Sequence, residues 1–493
     1  MREDFSPGGA LPGMVSPGLV LPERDRWLFR GFALLVLLVP LPLGSNRPWA
    51  WLLMEVGIFG LFTLWALSRA RRPEPLPRAV SEHPWPLFLL LLWSFYPLVQ
   101  VVPLPMSVLE ILSPSALEIR RFVGQEPLAT MITLDLHATL TSWLKGIAYF
   151  MGLWLVLVLV NTRRRLSQLA YLLVVGGAFQ GLFAFVSGRE GDVPGLVGTF
   201  VNRNHLAGYL ELTLPVVLGL LLSMMAHRSS RESGREPLLL LLGRVSGRQG
   251  VLAMLAVLML LAVLMSRSRS GSVVLLVSLF LVSWLARWRS RPSTRERRLL
   301  MPLFFVSLVA GAWLGLGNLT QRFLVTDLRF QDRWLVFEET WRKVLDYPLV
   351  GSGSGTFGLT FPLYRDGRLA FDFVDHAHND YLEILADQGI LGFGLMTAAF
   401  VFVWVSVARA YLQRRDPFAR GMLFASLAST LALALHAATD FNFQIPANAL
   451  TFMVLLGLGL AAATVPHAEG RGGARRAASR EGYSGSRSGS SRF

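Results

Sequence analysis

The sequence has no cysteine at all, and among its 493 residues only 16% are Asp, Glu, Lys or Arg. The first absence excludes disulfides, thiolate nucleophiles, cysteine-ligated zinc and iron–sulfur clusters together. It identifies no compartment. The second sets the chain far from the roughly 25% charged residues of an ordinary soluble domain and argues against a soluble globular enzyme. Apolar residues fill the gap: 53% of the chain is hydrophobic and the mean hydropathy is +0.48. They are gathered into runs of roughly 17 to 22 residues, enough to cross a hydrocarbon core about 30 Å thick at about 1.5 Å per residue. The expected fold is an all-α polytopic membrane protein.

Hydropathy marks twelve candidate spans, centred on 28–43, 49–67, 85–102, 143–160, 166–187, 205–226, 250–266, 271–287, 299–317, 388–408, 419–437 and 446–464. Residues 1–26 form a Pro/Gly-rich leader without the apolar core of a cleavable signal peptide, so the N-terminus is expected to be cytoplasmic. With that choice Arg69, Arg71, Arg72 and Arg78, the run Arg163-Arg164-Arg165, five arginines from Arg228 to Arg248, six from Arg287 to Arg298, and Arg409, Arg414, Arg415 and Arg420 all fall on the inner side. The positive-inside rule is then met at every short inner loop. The net charge of +15 thus reads as a topology signal, and nucleic acid is not an expected partner. Spans one to nine occupy 27–317, with an outer segment at 104–142 that is expected to lie along the membrane surface; spans ten to twelve occupy 388–465. Residues 466–493, rich in Gly, Ser and Arg, read as a disordered cytoplasmic tail able to touch anionic lipid.

The long outer segment at 318–387 is the informative one. Phe330, Trp334, Phe337, Trp341 and Val344 recur at spacings of four, three, four and three, giving an apolar, aromatic helix face suited to the membrane interface. Gly351, Gly353, Gly355 and Gly358 then break the pattern, and Asn379-Asp380 opens a helix that runs through Ile390 into the tenth span. The glycines do not make a nucleotide loop, because no Lys follows them as G-x-x-x-x-G-K-[ST] requires. They are expected to supply positive φ and close backbone approach.

The densest cluster of titratable groups is Asp375-His376-Ala377-His378-Asn379-Asp380-Tyr381-Leu382-Glu383. A histidine just before a helix start feels the positive end of the dipole, which favours the neutral imidazole a general base must be. His378 is the candidate base. Two other readings stand beside it: the histidines tie the loop down by hydrogen bonds, or His-x-His with a nearby Asp ligates a divalent ion. Arginines gather on the same outer side. Arg267 and Arg269 share one very short turn, Ser266-Arg267-Ser268-Arg269-Ser270-Gly271, and Arg203 stands at the outer start of the sixth span, with Arg322, Arg329 and Arg333 approaching from the long loop. An Arg near the bilayer costs roughly 2.5–3.5 kcal/mol unless it snorkels, and its planar fork suits phosphate oxygens. Snorkelling accounts for any one of them; it accounts less well for their gathering opposite a histidine-rich loop. Glu55 and Glu211, in or near spans, are expected to be paired or solvated at helix ends.

Four stretches in order resemble the O-antigen ligase and O-antigen polymerase superfamily: Gly198-Thr199-Phe200-Val201-Asn202-Arg203-Asn204-His205-Leu206-Ala207-Gly208; Ser268-Arg269-Ser270-Gly271; Arg333-Trp334 leading to Pro348-Leu349-Val350-Gly351-Ser352-Gly353; and His376-Ala377-His378-Asn379-Asp380-Tyr381-Leu382. The resemblance spans roughly 160–440. It implies a bacterial inner-membrane glycosyltransferase of the GT-C kind with a periplasmic active site. Such an enzyme takes an undecaprenyl-diphosphate-linked glycan as donor and a glycan or lipid A–core acceptor, and uses no nucleotide sugar, cofactor or metal. The resemblance also implies that His378 is the catalytic histidine, supported by His376, Asn379 and Asp380, and that Arg269, Arg333, Arg267 and, departing from the family pattern, Arg203 contact the diphosphate. A ligase would hand the glycan to lipid A–core and a polymerase to another lipid-linked repeat; the ligase is the first expectation. A transporter or lipid flippase fits the number of spans, but no inverted repeat is evident and the polar cluster lies at the outer edge instead of the midplane.

Overall fold

The computed structural model describes residues 23–124, 129–188, 195–228, 247–289, 328–368 and 374–466. The principal helices are α1 (Glu23–Leu38), α2 (Pro48–Arg71), α3 (Pro84–Gln100), α4 (Leu136–Leu159), α5 (Arg163–Ser187), α6 (Arg203–Arg228), α7 (Arg248–Met265), α8 (Arg269–Arg289), α9 (Leu328–Asp346), α10 (Asp380–Gln413), α11 (Pro417–His436) and α12 (Pro446–Thr464). Every expected span except 299–317, which lies outside the described residues, coincides with one of them. Eight of the described helices are long and apolar enough to cross a membrane; α3 and the apolar part of α8 are shorter, and α1 has 16 residues. The chain is an all-α polytopic membrane protein. The leader and the tail expected to be disordered lie almost wholly outside the described residues.

Helix starts follow local chemistry. Asp135, Thr162, Asn379 and Asp416 cap α4, α5, α10 and α11 by accepting backbone N–H groups of the first turn, and proline opens α2, α3, α11 and α12, where its missing N–H costs nothing. Within the bundle α12 is the axis: 89% of its apolar window is buried, against 28% for α2. The lipid-facing side of α2 exposes Leu52, Leu53, Val56 and Leu64, and that of α7 exposes Met254, Val257 and Leu261. Patches of this kind have no place on a water-soluble surface. Helices α6 and α11 cross closely where Gly219 and Gly421 face each other, so tightly that a Cβ on either would collide with the other's carbonyl. Ser426 Oγ donates to Leu455 O at 2.7 Å and ties α11 to α12. Glu55 is buried on α2 rather than solvated, and its Oε1 finds no hydrogen-bond partner among the described residues.

Within the 104–142 segment the chain packs against the glycine loop that follows α9. Two-residue strands pair antiparallel, Leu104 opposite Thr130, and Leu109, Leu117 and Ile132 cluster with Val350. Leu134 N donates to Ser352 O at 2.9 Å. The glycine loop takes positive φ at Gly351 (75°), Gly353 (118°) and Gly355 (78°), whereas Gly358 does not and lies inside the short helix Phe357–Thr360. At Gly351 a Cβ would fall on the backbone of Asp387, so the loop lies directly against the start of α10.

Helix α9 exists as expected, but its periodicity resolves differently. Trp334 and Trp341 are exposed on one face with Leu345, whereas Val344 is buried on another with Val336, Glu339, Thr340 and Lys343. The physical reason is an ion pair: Lys343 Nζ reaches Asp387 Oδ1 at 2.9 Å with the lysine side chain fully buried. The helix therefore turns a partly polar face inward and keeps its tryptophans outward. Helix α10 begins at Asp380, ahead of the expected span at 388, and breaks its own geometry at Gly389, whose φ of 64° and ψ of −173° interrupt the helical run.

Candidate active site

The helix ends that meet at one end of the bundle are the starts of α6, α8 and α10 and the α11–α12 connection. They gather around Asp440 and Phe441 in that connection. The opposite end holds Arg163, whose guanidinium pairs with Asp416 at 2.7 Å, and Arg414, which donates to Ala463 O at 2.7 Å.

His378 stands one residue ahead of the Asn379 cap, in left-handed conformation with φ of 50°. Its Nδ1 lies 3.3 Å from Asp440 Oδ1. Asp440 is fully buried and held from several sides: Phe441 N donates to Oδ1 at 2.9 Å, Asn204 Nδ2 donates to Oδ2, and Arg333 Nη2 stands 3.7 Å from Oδ2. Burial would raise the Asp440 pKa, but the hydrogen bond from His378 and the Arg333 guanidinium outweigh it and hold the carboxyl below the usual carboxylate range. With Nδ1 turned to Asp440, the other ring nitrogen of His378, Nε2, is directed away from the carboxylate. This is the carboxylate–imidazole relation that fixes a base in one tautomer.

His376 faces a different carboxylate. Its Nδ1 is 2.9 Å from Glu383 Oε1, and the other oxygen of Glu383 accepts from Ala377 N at 2.9 Å. The phenyl ring of Phe441 lies among three imidazoles, with centroids 4.4 Å from His376, 4.9 Å from His378 and 4.8 Å from His205. The His-x-His pair therefore does not converge on one point, as a shared metal ligand set would require. Among the described residues no three His, Asp or Glu side chains are grouped to hold a metal ion. Asn379 acts as the cap of α10, and Asp380 is buried beneath the α11–α12 connection, accepting from Phe443 N at 2.9 Å.

The arginines divide. Arg333 joins the site directly, through Asp440 and by donating to Thr439 O at 3.3 Å. Arg203 flanks Asn204 at the start of α6, and its side chain lies beside Gly195, which packs on the carbonyl of Ser266. Arg267, with φ of 57°, and Arg269 are exposed on the α7–α8 turn, and Arg269 is joined to the site through its neighbour Ser270, whose Oγ is 3.1 Å from His436 Nε2. Arg322 and the Arg329 side chain lie outside the described residues.

Asp440 and Phe441, the centre of the arrangement, were not singled out by the sequence reading, and neither were His205, His436 and Glu383 as site residues. The available signal was an acidic residue in the short Thr439-Asp440-Phe441-Asn442 link between two strongly apolar spans. Glu211 is paired, as expected, but at full burial, with His436 Nδ1 3.0 Å from its Oε1.

Fold and site together define the class: a polytopic helical membrane protein with a polar, histidine- and arginine-bearing site at one end of its bundle. Residues 254–397 match the family described as O-antigen ligase. Over that stretch the chain is similar to the O-antigen ligase family, in keeping with the resemblance read from its motifs. That match contains Arg269, Arg333 and both motif histidines; Asn204, His205, His436 and Asp440 lie outside it and are brought to the site by folding. No curated protein matches the chain.

Proposed function

We propose that the protein is an outer-face glycosyltransferase of the bacterial inner membrane, moving a glycan from an undecaprenyl-diphosphate donor to a hydroxyl of a lipid A–core acceptor. The observation that carries this reading is the meeting at Asp440, where the His378 imidazole and the Arg333 guanidinium come to one carboxylate from distant parts of the chain. His378 Nε2 accepts the proton of the acceptor hydroxyl as that oxygen attacks the anomeric carbon. The donor's C–O bond breaks toward the diphosphate, whose growing negative charge is stabilised by Arg333 and the arginines of the α7–α8 turn and the α6 start. Attack opposite the leaving diphosphate inverts the anomeric centre. Separation of the site from the arginine-rich bundle end supports an outer placement.

The test is transfer in proteoliposomes supplied with lipid-linked glycan and lipid A–core. His378→Ala is expected to reduce turnover by about 10²–10⁴-fold, the range for a positioned general base. Asp440→Asn, which keeps shape and loses charge, is expected to lower kcat with little change in either KM. Wild-type turnover in His378→Ala would refute the base. The acceptor is read from the product: glycan on lipid A–core identifies a ligase, and lengthened lipid-linked chains identify a polymerase.

A further inference from the structure

Behind the α7–α8 turn lies a second chain of polar contacts that the mechanism above does not use. Glu211 on α6 and His436 at the end of α11 are both fully buried, with Nδ1 3.0 Å and 3.3 Å from the two carboxylate oxygens. The other ring nitrogen of His436 is 3.1 Å from Ser270 Oγ, at the first turn of α8 beside the exposed Arg269. Gly271 makes the approach possible: a Cβ there would fall 2.6 Å from Glu211 Oε1 and 2.8 Å from Ala207 Cβ. Three helices thus meet on a hydroxyl–imidazole–carboxylate line.

A carboxylate removed from water needs a cation, and His436 is the group placed to be one. As an imidazolium, His436 donates from Nδ1 to Glu211 and from Nε2 to Ser270 Oγ. The serine oxygen is then an acceptor inward, and its own O–H is free to be donated outward. Ser270 is half-buried, and Arg269 next to it in the chain is exposed. A hydrogen-bond donor polarised from behind by a positive ring, next to an arginine, is chemistry for an anionic oxygen.

We infer that Ser270 is a further contact to the donor's diphosphate, aimed by the buried Glu211–His436 pair, which serves as a positioning pair distinct from His378–Asp440. The inference rests on the reading of this site as one that binds a lipid diphosphate. The experiment measures donor and acceptor KM, kcat and thermal midpoint in proteoliposomes for Ser270→Ala, Ser270→Thr, His436→Gln and Ser270→Ala/His436→Gln. Ser270→Ala is expected to raise donor KM about tenfold, as for a lost hydrogen bond to a charged group. Acceptor KM and thermal midpoint should stay in place, and Ser270→Thr should restore donor KM. The double variant is expected to be no weaker for donor than the worse single one, because both changes cut the same line. An unchanged donor KM in Ser270→Ala, a loss that Thr does not rescue, or additive effects in the double variant would overturn the inference while leaving the function standing if His378→Ala is inactive. Failure of the wild-type protein to transfer from any lipid diphosphate would overturn the function, and this inference with it.

Discussion

At His376 burial works against a charged imidazole, yet the Glu383 carboxylate 2.9 Å away outweighs it, and the pKa is raised from the ordinary 6.5. A group whose folded pKa lies above its unfolded value adds stability that is fully present below the unfolded pKa and lost as pH rises through the folded one. His376→Gln is therefore expected to lower the thermal midpoint below about pH 6.5 and to converge on the parent at alkaline pH. A difference that widened with pH would contradict the assignment. Sequence alone singled out His376 and His378 as a pair, because His-x-His before a helix cap stands out in an apolar chain. It could not tell that each imidazole answers to a different carboxylate, Glu383 in the helix that follows and Asp440 in a distant connection. The first partner is local, seven residues away; the second is 62 residues away and adjacent only in the folded bundle.

Among the elements, α9 depends on Lys343. Its ammonium lies 2.9 Å from Asp387 Oδ1 and 5.0 Å from the centre of the Phe357 ring, and the same carboxylate accepts from Phe357 N at 3.3 Å. Lys343→Met leaves Asp387 buried without its cation and is expected to cost about 3–5 kcal/mol. Lys343→Met combined with Asp387→Asn should recover part of that loss in thermal unfolding, since the uncompensated charge is then gone. If the single variant is as stable as the parent, the pair does not hold α9 to α10. Spacing of apolar residues foretold α9 as a helix; it did not show the inward face, because hydrophobic periodicity does not register a buried lysine. The glycine loop was easier to read, since positive φ at Gly351, Gly353 and Gly355 is a backbone need that only glycine meets cheaply.

For the whole molecule, the absence of cysteine makes orientation directly measurable, because a single introduced thiol has no background. Asp375→Cys, at an exposed position beside the site, is expected to react with an impermeant maleimide in spheroplasts, whereas Arg164→Cys is expected to react only after the membrane is opened. The reverse pattern would place the site on the cytoplasmic side and end the proposed transfer. The sequence by itself determined that the chain crosses the membrane repeatedly, where the helices lie and which short motifs carry ionisable groups. Apolar run length, caps and arginine bias are local properties, written in consecutive residues. Only the tertiary structure decided that Asp440, His436, Glu211 and Asn204 stand with those motifs, because buried polar groups must find partners wherever the packing of α6, α8, α10 and α11 brings them. Which ends meet is set by helix packing across the bundle, and no local pattern records it.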